Sequence, residues 1–430
     1  METLKKYFLF EERKTNLRTE ILAGITTFLS MVYIVIVNPS VFDAGGVNFG
    51  GVYIATIVAA VTGTLIMAVA ANYPIAIAPG LGINAYVVYT VIIGMGVSWQ
   101  QAFGAAAIAS GIFIILSLTS FREMFINSIP ESQKKAIAAG IGLFIALIGF
   151  RNGHIVMPSE ATMVSFGSFS DQVFILTVAG LVITMLLMVL RISGAVFLGM
   201  ILTAVVAKIL GWWDLPDEIF SMPSGFNETF MQVEIGDVMT LAPIIFTLLL
   251  VTLFDTTGTM LGIGRQAGLI KEGEFPNLKS ALLADSVASF VGAFFGTSPT
   301  SAYVESGTGV SAGGRTGFTS VVTAALFIAM LFFQPLAAAI SSLPSVTAPA
   351  LILTGCFMCA NVATIDWNDY SEAFPAFLTL VLIPFTYSIT TGIGIGILSY
   401  VILKLCTGKF AEVHPLLILM AILFAGQLAM

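Results

Sequence analysis

Long apolar runs separated by short polar segments recur along the whole chain. Each run holds about 20 residues, the length of helix that crosses a bilayer core of roughly 30 Å. The first begins near Ile21, after a charged segment ending at Glu20. It is too long for a signal peptide and lacks a small-residue cleavage site, so we expect a retained span. The pattern predicts an all-α polytopic membrane protein with fourteen transmembrane segments. Their expected centres are Met31, Thr62, Tyr86, Ala109, Leu143, Val182, Met200, Leu249, Ala288, Val304, Leu326, Gly355, Leu380 and Ile397.

The first seven and the second seven of these segments resemble each other. Pro130 precedes a small-residue helix in the first half, and Pro344 precedes a similar helix in the second. Gln101–Gly104 likewise has a counterpart in Thr316–Thr319, and the sequence offset between them equals that between Pro130 and Pro344 to within one residue. Because seven is odd, the second set must enter the membrane from the opposite face. We therefore predict a 7+7 inverted repeat, which is typical of secondary transporters.

The third and tenth spans are interrupted at matching positions. Pro74 and Pro79 interrupt the third, where a helix is expected to begin near Leu81, and Pro299 interrupts the tenth. Proline removes a backbone donor and favours extended backbone before it. Non-helical backbone inside a bilayer is tolerated only where it is buried in protein or lines a cavity. We therefore predict short extended pieces and half-helices in spans 3 and 10, which meet near the midplane and direct free N–H groups at a ligand.

Composition and charge agree with a membrane location. The 430 residues are 57% hydrophobic and 10% charged, whereas soluble domains carry about 25% charged residues. With a cytoplasmic N-terminus, fifteen of the 17 Lys and Arg residues, Arg122 and Lys271 among them, fall inside, and only Arg151 and Lys208 fall outside. We therefore expect a multi-pass protein of the cell (inner) membrane, with the lipid bilayer and not a nucleic acid as its surroundings.

Three acidic residues, Asp255, Asp285 and Glu305, lie within predicted spans. An acid at the bilayer centre costs at least ~2.5 kcal/mol, so it is usually functional or partnered. Asp255 and Glu305 have no Lys or Arg near them in sequence, and we expect them to serve a substrate or a proton. For Asp285, a structural role among hydroxyls and backbone amides is equally open. Asn84 offers a donor and an acceptor, either to a ligand or to another helix.

Two carboxyl groups in one low-dielectric site oppose each other's ionisation, so one can hold a proton near neutral pH. Such a pair suits proton coupling and a neutral substrate rich in N–H donors, such as a nucleobase. It would repel an anion, although an anion transporter of the same fold, sulfate- or bicarbonate-like, is the main alternative. A receptor or intramembrane enzyme is a third class, and the sequence carries no catalytic constellation for it.

We expect no metal and no cofactor, with H⁺ as the coupling ion. Cys356 and Cys359 form a C-x-x-C pair, but they lie inside an apolar helix with no second pair and no His nearby. His154 and His414 are isolated in the sequence.

Four segments carry a resemblance to a known family: Ala23–Met31, Tyr73–Tyr86, Asp255–Thr259 and Pro299–Glu305. They resemble the AzgA-like purine permeases of the nucleobase–cation symporter-2 family, which share the fold of the bacterial uracil transporter. The resemblance covers nearly the whole chain and is closest to the bacterial guanine/hypoxanthine permeases. It implies uptake of a purine nucleobase (guanine or hypoxanthine, with adenine as a further candidate) together with a proton, by elevator-type alternating access.

The resemblance also implies site residues. The family's acidic residues of spans 8 and 10 fall on Asp255 and Glu305, the expected proton-coupling residues, and its polar residue of span 3 falls on Asn84. Thr259 stands where the uracil carrier has His, which argues against a His-based proton relay. Thr252 stands where some fungal relatives have a second acid. The residues expected to bind the substrate, in part through backbone amides near Ala302 and Tyr303, are Asn84, Asp255, Thr256, Glu305, Ala302, Tyr303 and Phe28.

The same resemblance divides the chain into a substrate-carrying core, spans 1–4 and 8–11, and a gate, spans 5–7 and 12–14, through which a homodimer is expected. The last apolar segment, after Pro415, is expected to lie at the interface or against the bundle instead of spanning fully. The expected boundaries are 1–18 for the cytoplasmic N-terminal segment, 19–125 and 238–335 for the core, 126–212 and 336–408 for the gate, 213–237 for an extracellular loop and 409–430 for the C-terminal apolar segment.

Overall fold

The computed structural model describes residues 2–119, 128–236, 238–269 and 276–429. The predicted core–gate boundary at residues 125 and 126, and the predicted cytoplasmic cations Arg122 and Lys271, lie outside these residues. The chain is almost entirely helical. The helices of the first half are α1 Glu2–Tyr7, α2 Leu17–Met31, α3 Ile34–Asp43, α4 Phe49–Ile66, α5 Leu81–Ala85, α6 Trp99–Leu118, α7 Glu131–Asn152, α8 Gln172–Val189 and α9 Ala195–Ile209. Those of the second half are α10 Phe226–Thr229, α11 Val238–Gln266, α12 Leu278–Phe295, α13 Ser306–Ser311, α14 Gly317–Met330, α15 Gln334–Ser341, α16 Pro344–Cys359, α17 Tyr370–Thr386, α18 Ile389–Cys406 and α19 Pro415–Ala429.

The other regular elements of the described residues are four strands, π-helical segments and 3-10 turns. The strands are β1 Ile77–Pro79, β2 Val156–Ser159, β3 Met163–Phe166 and β4 Thr300–Ala302. Two π-helical segments, Met67–Ala71 and Tyr86–Gly94, continue α4 and α5. The 3-10 turns are Leu331–Phe333, Ala360–Thr364 and Phe410–Glu412.

Ten helical segments of the described chain are long and apolar enough to cross a membrane. They are Leu17–Asp43, Phe49–Ala71, Trp99–Leu118, Glu131–Asn152, Gln172–Val189, Leu241–Gln266, Leu278–Phe295, Gly317–Ser341, Pro344–Thr364 and Ile389–Cys406. The protein is therefore a helical, multi-pass membrane protein. The other four predicted spans fall in or next to shorter elements, Leu81–Gly94, Ala195–Ile209, Ser306–Ser311 and Tyr370–Thr386, so the count of fourteen stays a prediction.

The two strands at the interrupted spans pair with each other. β1 and β4 are antiparallel, with Ile77 opposite Ala302 and Pro79 opposite Thr300. Each strand is followed by a short helix, α5 from Leu81 and α13 from Ser306. The predicted extended pieces are thus present, and they meet as expected. β2 and β3 form a separate hairpin between α7 and α8.

Hydroxyl side chains complete the hydrogen bonding of the interrupted backbone. The Thr64 hydroxyl donates to the carbonyl of Ile77 at 3.1 Å and accepts from the Ile77 N–H at 3.0 Å. The Ser320 hydroxyl donates to the carbonyls of Tyr73 and Ile75, at 2.8 and 3.1 Å. A buried backbone group without a partner costs roughly 2–7 kcal/mol, so these hydroxyls help to make a non-helical segment stable at this depth.

A buried carboxylate joins the first span to α14. Glu20 is fully buried, although the sequence places it in the polar segment before the first span. Its Oε2 accepts from the hydroxyls of Thr316 and Thr319, at 2.8 and 2.6 Å, and its Oε1 accepts from the N–H of Arg315 at 3.0 Å. A carboxylate at a helix N-terminus satisfies free N–H groups and complements the helix dipole.

The G-x-x-x-G spacing predicts close helix packing at Gly258–Gly262 and at Gly309–Gly313. The prediction is confirmed at Gly309, where the side chain of Thr27 and the carbonyl of Ala23 leave no room for a Cβ atom. It is wrong at Gly258 and Gly262, where nothing in the described structure lies within 4 Å of the position a Cβ would take. Spacing alone does not say which face of a helix has a neighbour.

We expect Gly63→Ala to destabilise the protein by about 1–3 kcal/mol, the usual cost of overpacking. Gly63 lies on α4, and a Cβ there would come within 2.7 Å of Ile77 in β1 and within 2.8 Å of Ala288 in α12. The thermal unfolding midpoint of the purified protein in detergent measures the effect. Gly262→Ala, which adds the same atom to a helix face without neighbours, is the matched control. Equal midpoints for the two variants would contradict the tight packing of α4 on the strand pair.

Candidate functional site

A cavity of about 250 Å³ lies beside the strand pair. Its walls come from five places: the junction of α2 and α3, the start of α5, the middle of α11, β4 with the residues that follow it, and α16. Small-molecule sites usually measure roughly 300–1,000 Å³. The cavity is slightly smaller, and it therefore suits a small ligand.

The two carboxylates singled out by the sequence both line this cavity. Asp255 comes from α11, and Glu305 comes from the turn that precedes α13. The Tyr33 hydroxyl donates to Glu305 Oε1 at 2.5 Å, and the Ser301 side chain hydrogen-bonds to Asp255. Within the described part of the chain, neither acid forms an ion pair with Lys or Arg. The cavity therefore presents two acceptors whose charge no neighbouring cation neutralises.

Ala302 and Tyr303 also line the cavity, at the end of β4. The N–H of Tyr303 donates to the carbonyl of Ala76 at 3.0 Å, and its hydroxyl donates to the carbonyl of Pro79 at 2.6 Å. The Tyr303 amide, which we expected to face a ligand, is therefore occupied by the strand pairing. The pairing places Tyr303 beside the cavity at the cost of this one donor.

Asn84 and Phe28, two of the expected substrate contacts, are not among the residues that line the cavity. Asn84 is fully buried; its Oδ1 accepts from the Ser298 hydroxyl, and its Nδ2 has no partner among the described residues. The Phe28 ring packs edge-on against Phe327, with 5.3 Å between the ring centroids. Neither side chain lines the cavity in this structure, and their contact with a substrate stays a prediction.

Asp285, the third intramembrane acid, ties two walls of the cavity together. It is fully buried, its Oδ2 accepts from the Thr256 hydroxyl at 2.6 Å, and its Oδ1 accepts from the Thr300 hydroxyl at 2.8 Å. Thr256 adjoins Asp255 in α11, and Thr300 belongs to β4. Thr256, expected to contact the substrate, is thus turned towards Asp285. The structural alternative for Asp285 is the one that these contacts favour.

Several lining residues are missed by the sequence reasoning. Tyr33 follows the first recognised motif by two residues, and its phenol in an apolar run is a signal that could have been used. Gly82 is the third residue after β1, and Glu305 is the third residue after β4. At this position the first break therefore contributes only backbone, whereas the second contributes a carboxyl group. Thr354, Phe357 and Met358 come from α16, and no local pattern distinguishes them from other apolar helix residues.

A helical bundle with a small, acid-lined cavity at two paired breaks is the architecture of a multi-pass membrane transporter. The sequence profile of the Permease family matches residues 18–395. The chain therefore belongs to that family, and it is a permease and not an enzyme.

Two relatives are similar to this chain in sequence, and one solved structure is similar to it in fold. The chain is 48% identical over 428 residues to the guanine/hypoxanthine permease PbuO of Bacillus subtilis (98% of this chain and 99% of that protein). It is 39% identical over 426 residues to the adenine permease AdeQ of Escherichia coli (98% and 95%). The expected resemblance to guanine/hypoxanthine permeases is confirmed. The transmembrane domain of the cyanobacterial bicarbonate transporter BicA superposes with a TM-score of 0.68 at 13% identity (87% and 97%), which establishes a shared fold alone.

We expect Asp285→Asn to lower the stability of the protein by about 1–3 kcal/mol. An amide offers one acceptor oxygen in place of two, so Thr256 or Thr300 loses its buried acceptor. Thermal unfolding of the purified protein in detergent measures the change. Asp217→Asn, in an exposed loop, removes the same charge without removing a buried bond. If both variants unfold at the same temperature, Asp285 does not tie α11 to β4.

Proposed function

We propose that the protein takes up purine nucleobases together with protons, with guanine and hypoxanthine as the expected substrates and adenine as a further one. The relatives described above are guanine/hypoxanthine and adenine permeases by name, and they align with this chain over nearly its full length. Their shared chemistry is a flat, neutral, nitrogen-rich ring. The proposed location is the cell (inner) membrane, with the N-terminus in the cytoplasm.

The observation that carries the proposal is the pair of carboxyl groups in one small cavity. Asp255 and Glu305 both line it, without a cationic partner among the described residues. A carboxylate accepts strong, charge-assisted hydrogen bonds from N–H groups, and a purine base carries such groups on its rings and amines. Two acids on different elements, α11 and the start of α13, can contact different parts of one base.

The same pair argues against the anion-transporter alternative. The fold resembles that of a bicarbonate transporter, so the architecture by itself is compatible with anions. An anion in this cavity would meet two carboxyl groups that repel it, whereas a neutral base would meet two acceptors.

Proton coupling follows from the cost of holding two negative charges in a desolvated site. When a proton neutralises one carboxyl group, the other can remain ionised and bind the base. Binding of the base and binding of the proton then favour each other, which is the basis of symport. Either Asp255 or Glu305 can carry the proton in this scheme.

We also propose fourteen membrane-crossing segments in two inverted repeats, and helix packing supports this. In a repeat of seven, spans 1 and 8, 2 and 9, and so on, are equivalent. The packing of α2 on α14 (spans 1 and 11) corresponds to the packing of α11 on α6 (spans 8 and 4). The packing of α17 on α7 (spans 13 and 5) corresponds to the packing of α16 on α8 (spans 12 and 6). Spans equivalent to each other pack together in three places: α4 on α12, α7 on α16, and β1 on β4. A two-fold axis through the strand pair accounts for all of these contacts.

The cavity's position supports an elevator-type movement. Asp255, Glu305 and the strand pair belong to the expected core, and Thr354, Phe357 and Met358 on α16 belong to the expected gate. A movement of the core along the gate would carry the two acids across the membrane. The homodimer expected through the gate stays a prediction.

Cysteine labelling separates fourteen crossings from ten. Ser165 lies in the exposed β2–β3 hairpin, after five of fourteen crossings but after four of the ten long segments. In a chain whose Cys356, Cys359 and Cys406 are replaced by Ser, we expect Ser165→Cys to react with an impermeant thiol reagent in intact cells. Thr407→Cys, inside in the proposed topology, should react only after permeabilisation. Labelling of both positions or of neither would contradict it.

Reconstituted protein tests the transport proposal directly. We expect proteoliposomes with an alkaline interior to accumulate labelled hypoxanthine, guanine or adenine, because the inward proton gradient drives symport. Accumulation should vanish when a protonophore collapses the gradient, and competition among the purines, with xanthine and uracil added, ranks the substrates. No uptake of any base, or uptake indifferent to the gradient, would contradict the proposal, and flux of chloride or sulfate would favour the anion alternative.

A variant of Glu305 tests, in the same transport experiment, whether this residue carries the coupled proton. Glu305→Gln keeps the shape of the side chain but cannot release a proton, so we expect it to abolish accumulation against a gradient. Glu218→Gln, in an exposed loop, is the matched control and should accumulate base normally. Robust accumulation by Glu305→Gln would move the coupling to Asp255.

A further inference from the structure

The first span is interrupted beside the cavity. α2 ends at Met31 and α3 begins at Ile34, and Tyr33 lies between them. The Tyr33 side chain is 1% exposed, and its hydroxyl donates to Glu305 Oε1 at 2.5 Å. A phenol is a costly group to bury unless its hydroxyl has a partner. The Tyr33 hydroxyl donates its one hydrogen bond to a carboxyl group of the cavity and not to the backbone.

A second contact holds the same two segments together. The Thr308 hydroxyl donates to the Glu305 carbonyl at 2.7 Å, and it lies 2.9 Å from the Ser30 hydroxyl on α2. The next residue, Gly309, packs against Thr27 of α2 without room for a Cβ atom. The backbone around Glu305 is thus fixed to the first span. The Glu305 carboxyl group is held by two further bonds, one from its own backbone N–H and one from the Tyr33 hydroxyl, and only the second comes from another segment of the chain.

We propose that Tyr33 is the positioning residue of Glu305: it holds one carboxyl oxygen so that the group faces the cavity in the orientation needed for the base and the proton. The inference rests on the proposed function and adds to it the residue that prepares this half of the site. A hydroxyl that donates to Oε1 favours the ionised carboxyl group, and it leaves the group's remaining lone pairs for the N–H of a base or for the coupled proton.

The other groups around Glu305 do not supply this bond. The titratable side chains that face its carboxyl group, besides Tyr33, are Asp255 from α11 and Tyr303 from the end of β4. Asp255 is an acceptor when ionised, and the Tyr303 hydroxyl is engaged by the Pro79 carbonyl. α16 contributes Thr354, Phe357 and Met358 to the cavity, none of which titrates. Among the described residues, Tyr33 is therefore the side chain that donates to the Glu305 carboxyl group, beside the backbone N–H of Glu305 itself.

Tyr33→Phe removes the hydroxyl and keeps the ring. In proteoliposomes we expect the half-saturating concentration of hypoxanthine to rise about 10- to 100-fold, the effect of losing a hydrogen bond to a charged group. We also expect the pH profile of uptake to extend about one unit or more towards alkaline pH, because the carboxyl group then keeps its proton more easily. The matched control is Tyr53→Phe. Tyr53 is fully buried and donates at 2.5 Å to the carbonyl of Met330, away from the cavity.

Both readouts distinguish positioning from a general effect on folding. Tyr53→Phe loses an equally short buried bond, so a loss of stability should affect the two variants alike, whereas the pH profile should move only with Tyr33→Phe. If Tyr33→Phe is not recovered folded, Glu305→Asp withdraws the carboxyl group from Tyr33 by one methylene, and the same rise in half-saturating concentration is expected. The inference is overturned, while the proposed function stands, if Tyr33→Phe or Glu305→Asp keeps the half-saturating concentration and the pH profile of the wild type. It is also overturned if Tyr53→Phe shifts both quantities as much as Tyr33→Phe does. Wild-type protein without base uptake would instead overturn the proposed function.

Discussion

The antiparallel pairing of β1 with β4 is the interaction on which the site depends. Inside a bilayer, an interrupted helix leaves N–H and C=O groups that lipid cannot satisfy. Here the two breaks bond to each other, the Tyr303 N–H to the Ala76 carbonyl and the Gly80 N–H to the Pro299 carbonyl, and the hydroxyls of Thr64 and Ser320 pair with further backbone groups. The two breaks therefore stabilise each other, and each is followed by a short helix, α5 or α13.

This constraint accounts for the distribution of polar groups. Among the polar residues that do not line the cavity, Asp285 accepts from the hydroxyls of Thr256 and Thr300, and Asn84 accepts from Ser298. The Asp285 carboxyl oxygens and Asn84 Oδ1 are buried and hydrogen-bonded, and the bond from Thr300 ties Asp285 to β4. Asp255 and Glu305, by contrast, line open space. The molecule thus separates acids that hold the structure from acids that are available to a ligand, although all lie within apolar spans.

The fold is shared with a bicarbonate transporter, whereas the ligand proposed for this protein is a neutral base. The likeness to that structure lies in the arrangement of helices, whereas chemistry at the breaks is set by a few side chains. The carboxyl group of Glu305, which accepts from the Tyr33 hydroxyl of the first span, places an acceptor just after β4. In the proposed function, the ligand is set by the residues next to the paired breaks and not by the bundle that surrounds them.

The sequence by itself determined the membrane class, the two breaks and the two cavity acids. These signals are local: apolar length, proline's missing donor, and the rarity of charge inside a span. Only the tertiary structure decided which side chains face the cavity. Tyr33 meets Glu305 across 272 residues of chain, Thr256 turns to Asp285, and Glu20, polar in its sequence context, is buried under α14. Such contacts depend on helix packing between distant segments, which no single stretch of sequence encodes.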